Sequence, residues 1–128
     1  MAKTVLVCED DDLNVKLFAD VLSSAGYHPL AARTGQEAIE MALAQRPDLI
    51  TLDFRPPLLP GEAVVRRLKT DPALRDIPVV AVTACAMVGD RERILAAGCD
   101  GYIAKPVSIN AYLDTIAGFL AEAIRRTG

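Results

Sequence analysis

Short runs of mostly apolar residues alternate with longer segments whose apolar positions recur at helical spacing. Strand-like runs fall at about 4–8, 27–32, 48–52, 77–82 and 101–104, and helical patterns at about 12–25, 35–46, 61–70, 88–97 and 109–125. Five strand-then-helix units predict a parallel sheet covered by helices on both faces, joined by right-handed crossovers. The punctuation agrees. Gly26 reads as a helix C-terminal glycine, Thr34-Gly35-Gln36-Glu37 as a capping box, Pro47 and Asp71-Pro72 as helix stops, and Ser108 as the cap of the last helix.

The polar residues at the strand ends carry the chemistry. Glu9 and Asp10 follow the first run, Asp53 the third, Thr83 the fourth and Lys105 the fifth. Open α/β sheets build their sites where strands end. If the first and third strands are neighbours, three carboxylates converge, and they repel unless a cation joins them. A hard divalent ion is the natural answer, and Mg²⁺ suits one or two carboxylates, waters and a phosphate oxygen. Lys105 would add positive charge and Thr83 a hydroxyl donor toward a phosphoryl group. Ala84 leaves room for its backbone N–H to approach. A carboxylate such as Asp53 is then a candidate nucleophile for aspartyl-phosphate chemistry.

Each residue also has a plainer reading. An Asp after a strand is commonly a turn or cap residue, and Lys105 before Pro106 an ordinary exposed lysine. Asp11 and Asp12 suit the first turn of a helix better than a ligand set. Tyr102 could simply pack in the core with its hydroxyl at the surface. His28 has no plausible metal partner, and Asp100 ends a turn with Gly101. Cys8 and Cys99 read as core, and Cys85 as more exposed.

Length and charge narrow the options. At 128 residues the chain is read as one domain spanning 1–128, with no effector domain. A net charge of −3, with a local excess at Glu9-Asp10-Asp11-Asp12, argues against nucleic acid. Arg125-Arg126 suits a helix C-terminus and is a thin basis for a basic tail. No apolar run is long enough for a membrane, and the start resembles no signal peptide, so the expected location is cytoplasmic with reduced cysteines.

Four stretches carry a resemblance: Val5 to Asp10, Pro47 to Asp53, Pro78 to Ala84, and Gly98 to Pro106. In this order and spacing, over the whole length, the chain resembles the receiver domain of bacterial two-component response regulators, the CheY-like superfamily. Glu9 to Phe18 and Thr83 to Asp90 most resemble stand-alone DivK-type regulators of cell division and polarity. The resemblance implies a flavodoxin-like (βα)5 sandwich with a parallel five-stranded sheet in the order 2-1-3-4-5. It implies that Asp53 accepts a phosphoryl group from a histidine kinase or histidine phosphotransferase. It implies Mg²⁺ on Glu9, Asp10, Asp53 and the backbone carbonyl of Arg55, and phosphoryl contacts from Thr83, Ala84 and Lys105. Tyr102 would turn inward as Thr83 moves, and a face at about 87–120 would meet a downstream protein. The chain is expected to be a monomer before phosphorylation, with a dimer through that face as the activated alternative.

Departures sharpen the expectations. Pro56 biases Arg55 toward an extended backbone. Leu58 and Leu59 are expected to form a small apolar patch beside the site, and Pro60 replaces a common polar residue. Arg55 and Cys85 border the expected path of hydrolytic water, which predicts a long-lived phosphoryl state with Arg55 covering it. The competing classes are a phosphate-independent binding module and an enzyme. A Mg²⁺-dependent phosphohydrolase of this kind wants a second acid at position 55, where Arg55 stands, and a nucleotide enzyme wants a glycine-rich first loop.

Overall fold

The computed structural model describes residues 2–55, 58–84 and 87–127, with the side chains of Leu59 and of 123–127 excepted. The expectations placed on Pro56 and Cys85, on the Leu59 side chain and on the Arg125 and Arg126 side chains lie outside the described residues. Strands β1 (Thr4–Cys8), β2 (His28–Ala32), β3 (Leu49–Phe54), β4 (Val79–Thr83) and β5 (Gly101–Ala104) alternate with helices α1 (Asp12–Ser24), α2 (Gly35–Gln45), α3 (Leu59–Thr70), α4 (Asp90–Ala96) and α5 (Ile109–Thr127). All strand pairs are parallel and the order is β2-β1-β3-β4-β5, as expected.

Side-chain alternation splits the core between the two faces of the sheet. Leu6, Cys8, Ile50, Leu52, Phe54, Val79 and Ala81 join residues of α2, α3 and α4 in one cluster. Val5, Val7, Leu49, Val80 and Val82 join Phe18 and Leu22 of α1 and Tyr112, Ile116 and Leu120 of α5 in the other. The strands read as near-continuous apolar runs because both faces are covered.

The helix ends follow their local chemistry. Asp11 caps α1 by accepting from the Asn14 N–H, and Thr34 caps α2 by accepting from the Glu37 N–H. Ser108 accepts from the Ala111 N–H at the start of α5. At the end of α1, Gly26 takes φ +91°, and the Gly26 and Tyr27 N–H groups return to the carbonyls of Ser23 and Leu22. This is the Schellman closure, which favours glycine at that position.

β3 runs on to Phe54 and α4 is shorter than the sequence reading, at Asp90–Ala96, and three further departures have a local cause. β4 starts at Val79 rather than Ile77, because the Ile77 N–H turns back to the Leu74 carbonyl, its own carbonyl accepts from Lys69, and Pro78 has no N–H to donate. α3 starts at Leu59, two residues early, with Pro60 in the first turn, where a missing N–H costs nothing. Leu58 is not part of a surface patch. Its side chain is only 6% exposed and joins the core under α3, since burying an aliphatic side chain there removes it from water. Gly61 lets α3 sit this close, because a Cβ there would lie 2.8 Å from the Phe54 ring.

Ile116 is fully buried between α5 and the sheet, whereas Leu43 is 42% exposed. Ile116→Ala is expected to lower unfolding stability by about 2–5 kcal/mol in urea titrations. Leu43→Ala should change it far less. Burial first, and neighbouring carboxylates second, push the Cys8 thiol from 9.0 up to about 12, and burial likewise pushes Cys99 to about 12. A raised thiol pKa stabilises the fold fully below the unfolded value, and that contribution is lost as pH rises from 9.0 toward 12. In the native protein at pH 8, iodoacetamide should therefore leave Cys8 and Cys99 unmodified, and both should react in urea, as read by peptide mass mapping.

Candidate functional site

The site sits at the C-terminal ends of β1 and β3, the point where the strand order reverses between the β1–β2 and the β3–β4–β5 halves. Register fixes it. Cys8 pairs with Leu52 across the sheet, so the next residues of each strand, Glu9 and Asp53, emerge side by side. The Glu9 N–H donates to the Ala32 carbonyl, which ties its backbone to β2. Carboxylate oxygens of Glu9, Asp10 and Asp53 come within 4.8 Å of one another, the geometry of a group able to hold a metal ion. Arg33, Thr34, Gly61 and Val64 help to line the adjoining hollow, of about 380 Å³.

Glu9 and Asp53 are deeply placed, with side chains only 1% and 6% exposed, while Asp10 is 55% exposed. Burying such charges is costly unless partners are supplied. Glu9 Oε2 accepts from the Asp10 N–H at 3.0 Å. The Lys105 ammonium stands 2.9 Å from Asp53 Oδ1 and 3.7 Å from Glu9 Oε1. Neither oxygen accepts a hydrogen bond from the described residues, so Lys105 meets them as a charge without an aligned donor. The Lys105 N–H donates to the Thr83 carbonyl at 2.8 Å, which holds the lysine beside the end of β4.

The Arg55 side chain supplies the second cation. Its Nε donates to Asp53 Oδ2 at 2.9 Å, one terminal nitrogen to Asp10 Oδ2 at 3.1 Å, and the other to Glu9 Oε2 at 3.1 Å and to Asp10 Oδ1. The hydrogen bond to Asp53, followed by the charges of Asp53 and Asp10, holds the guanidinium proton more tightly than usual against an opposing effect of desolvation. The sequence reading gave Arg55 a backbone carbonyl for a metal and a side chain over a phosphoryl group. The fork on all three acids was missed, although the signal was there: Asp53 and Arg55 are two apart along extended chain and so point the same way.

Thr83 is buried, and its hydroxyl donates to the Phe54 carbonyl at 3.1 Å, so it lies against β3 one residue beyond Asp53. Ala84 is exposed just after β4. Tyr102 is half-buried in β5, packed against the core on the α2–α4 face, with the Arg91 guanidinium carbon 5.9 Å from its ring centre. Asp12 is the acid in the first turn of α1 and pairs with Arg33, whereas Asp11 is the N-cap of that helix. Asp100 does more than end a turn. It accepts from the Val79 N–H at 2.8 Å and from Lys69 at 2.7 Å, stitching α3 to the sheet.

Two further features had no clear sequence signal. Glu62, buried in α3, receives Arg93 of α4 through two bonds at 2.9 and 2.6 Å, and this fork holds its carboxyl below the ordinary value. An apolar cleft between α1 and the start of α5 is lined by Leu17, Phe18, Val21, Val107, Ile109 and Tyr112 and reaches Lys105. No helix among the described residues is long and apolar enough to cross a membrane.

Comparison with known proteins places this geometry. A family model described as the response regulator receiver domain matches residues 5–117. The polar-differentiation response regulator DivK of Brucella anthropi is 46% identical over 123 residues, 96% of this chain and 100% of that protein. The receiver domain of the sensor histidine kinase PA1611 of Pseudomonas aeruginosa, solved with a magnesium ion coordinated in its active-site cleft, is 31% identical. It superposes with a TM-score of 0.85 over 94% of this chain and 99% of that one. A signal receiver domain of a histidine kinase from Syntrophus aciditrophicus gives 32% identity and a TM-score of 0.86 over 94% and 92% of the two chains. The chain belongs to the response regulator receiver domain family.

Proposed function

We propose that the protein is a phosphorylation switch in which Asp53 accepts a phosphoryl group from the phosphohistidine of a histidine kinase or histidine phosphotransferase. The observation that carries this reading is the Lys105 ammonium 2.9 Å from Asp53 Oδ1 beside three converging carboxylates. An Asp53 oxygen attacks phosphorus, the phosphorus–nitrogen bond to the donor imidazole breaks, and the imidazole leaves with the bonding pair. Lys105 faces the attacking carboxylate and stabilises charge on the transferring oxygens. Thr83, at the end of β4, offers a hydroxyl to the same group once it releases the Phe54 carbonyl. The N–H of the exposed Ala84 follows it, with no bulky side chain on that residue.

The donor set is all oxygen and acidic, which suits Mg²⁺. Glu9, Asp10 and Asp53 would hold the ion, with the Arg55 carbonyl as a further ligand. When bound, Mg²⁺ would neutralise charge on the phosphoryl oxygens during transfer. The chain's part in phosphotransfer and dephosphorylation is thus that of a phosphoacceptor that assists its own chemistry. This rests on the family and on the acid cluster, and is no turnover of a separate substrate.

Output is by protein contact. Met87 and Val88, 78% and 106% exposed, open the 87–120 face, and Arg91 over Tyr102 links that face to the aromatic expected to turn inward. The apolar cleft between α1 and α5 beside Lys105 suits the approach of the phosphoryl donor. The similarity to DivK over that protein's full length supports a stand-alone receiver acting in cell division or polarity, in the cytoplasm, monomeric before phosphorylation. One observation favours a second reading, a binding module that works without phosphate: Arg55 already neutralises the acids that an ion would otherwise join.

Acetyl phosphate with Mg²⁺ is expected to add one phosphoryl group by intact mass, and Asp53→Asn or EDTA to abolish the gain. A folded wild type that gains nothing, with acetyl phosphate or with histidine kinases, supports the second reading instead. Lys105→Met should slow phosphorylation on the order of 10²-fold, by analogy with loss of one preorganised charge-stabilising donor. A phosphorylation time course checks this, and an unchanged rate would remove Lys105 from the transfer step.

A further inference from the structure

The Arg55 fork engages the same three carboxylates that could hold a divalent ion. Its three nitrogens reach Asp53 Oδ2, Glu9 Oε2 and both Asp10 oxygens, three of these contacts at 2.9 to 3.1 Å. Mg²⁺ binds oxygen at about 2.0–2.1 Å and tolerates little distortion of its octahedron. An ion at that range from these three carboxylates would lie in the space the guanidinium fills and take the same lone pairs. An ion drawing on those oxygens would compete with the fork for them.

The second resident cation does not compete in this way. Lys105 meets different oxygens of two of these carboxylates, at 2.9 Å from Asp53 Oδ1 and 3.7 Å from Glu9 Oε1. The two basic residues thus divide the acid cluster, Arg55 on one set of oxygens and Lys105 on the other. Arg55 is also the one free to go. Its side chain is 51% exposed and belongs to no core cluster, so rotation into water breaks no apolar packing. The charges point the same way. Three carboxylates with Arg55 and Lys105 sum to −1, whereas the cluster without Arg55 carries −2 and attracts a divalent ion more strongly.

We propose that Arg55 is a tethered cation that occupies the divalent-ion position at rest and must swing out before Mg²⁺ enters. It thereby sets the Mg²⁺ concentration at which the receiver becomes competent for phosphoryl transfer. The inference rests on the Mg²⁺ reading above. It makes Arg55 a specificity-determining residue for ion occupancy, acting through the carboxylates and not through the phosphoryl group.

The test is calorimetric titration of the full chain with MgCl₂ at fixed ionic strength, on the wild type, Arg55→Gln, Arg55→Lys and Asp10→Asn. Arg55→Gln should bind Mg²⁺ about tenfold tighter than the wild type, the size of one set of charge-assisted hydrogen bonds no longer broken. Arg55→Lys, a point charge without the fork, should fall between them, and Asp10→Asn should weaken binding. On the wild type alone, the Arg55 Nε–H resonance in ¹⁵N spectra should shift and exchange faster with water as Mg²⁺ saturates the site. That measurement stands even if a substitution impairs folding. Equal or weaker Mg²⁺ binding by folded Arg55→Gln, or an Nε–H resonance unmoved at saturating Mg²⁺, overturns the competition and leaves the Mg²⁺ site standing. No Mg²⁺ binding by either protein, both folded by circular dichroism, overturns the competition together with the Mg²⁺ reading.

Discussion

The repulsion among Glu9, Asp10 and Asp53 is the constraint on which the site turns. Parallel pairing of β1 with β3 delivers these carboxylates to one point, and the burial of Glu9 and Asp53 denies them the full screening of water. Removing a cation from such a cluster strands charges that the sheet cannot move apart. The surrounding groups follow from that need. The Asp10 N–H turns toward Glu9, Lys105 is held beside β4 by its own N–H, and Arg55 folds back over the acids. Structural ion pairs seldom decide stability, but in the competition proposed for Arg55 the charge balance at this point decides which cation the protein accepts.

The fold also determines what lies within reach of that point. Asp53 shares its side of β3 with Leu49 and Thr51, whereas Phe54 turns to the opposite cluster and supports the start of α3 through Gly61. The Phe54 carbonyl receives Thr83, so the residue next to Asp53 in sequence is tied to the end of β4. From α3 the buried Glu62 takes hold of Arg93 on α4, and Arg91 of the same helix stands over Tyr102. Contacts therefore run from the acid cluster to the 87–120 face by two routes, one through the strand ends and one through α3. Discrete hydrogen bonds of this kind, made or released as units, are the material of two-state switching.

What could be read in the sequence follows from which features are local. Periodicity and caps are local, so the five units, Gly26, Thr34 and Ser108 were legible, and the order of polar residues at strand ends gave Glu9, Asp10, Asp53, Thr83 and Lys105 as one group. Leu58 was misjudged because a leucine next to prolines in a loop reads as surface, and only the packing of α3 on Phe54 shows the hollow that it fills. Glu62–Arg93 and Lys69–Asp100 join residues about thirty positions apart on different elements, and no spacing rule connects them. Arg55 lies between these cases. Its direction followed from the strand period, but its length and fork had to be set against three particular oxygens before its partners were evident.

That position also explains why one residue sustains two readings of the protein. A receiver with an uncharged residue at 55 would hold three acids against Lys105 alone, and its resting state would depend on an ion from solution. With Arg55 in place the resting cluster carries −1 rather than −2, and the sheet ends can keep their geometry without the ion. The same neutralisation that would let a phosphate-independent module persist also sets a threshold that an ion-dependent switch must cross. The two readings separate on mobility. A guanidinium locked in the core would favour the module, whereas one that is half exposed and anchored only by exchangeable hydrogen bonds can leave when a better cation arrives. The exposure of Arg55, set against the burial of Glu9 and Asp53, weighs on the side of the switch.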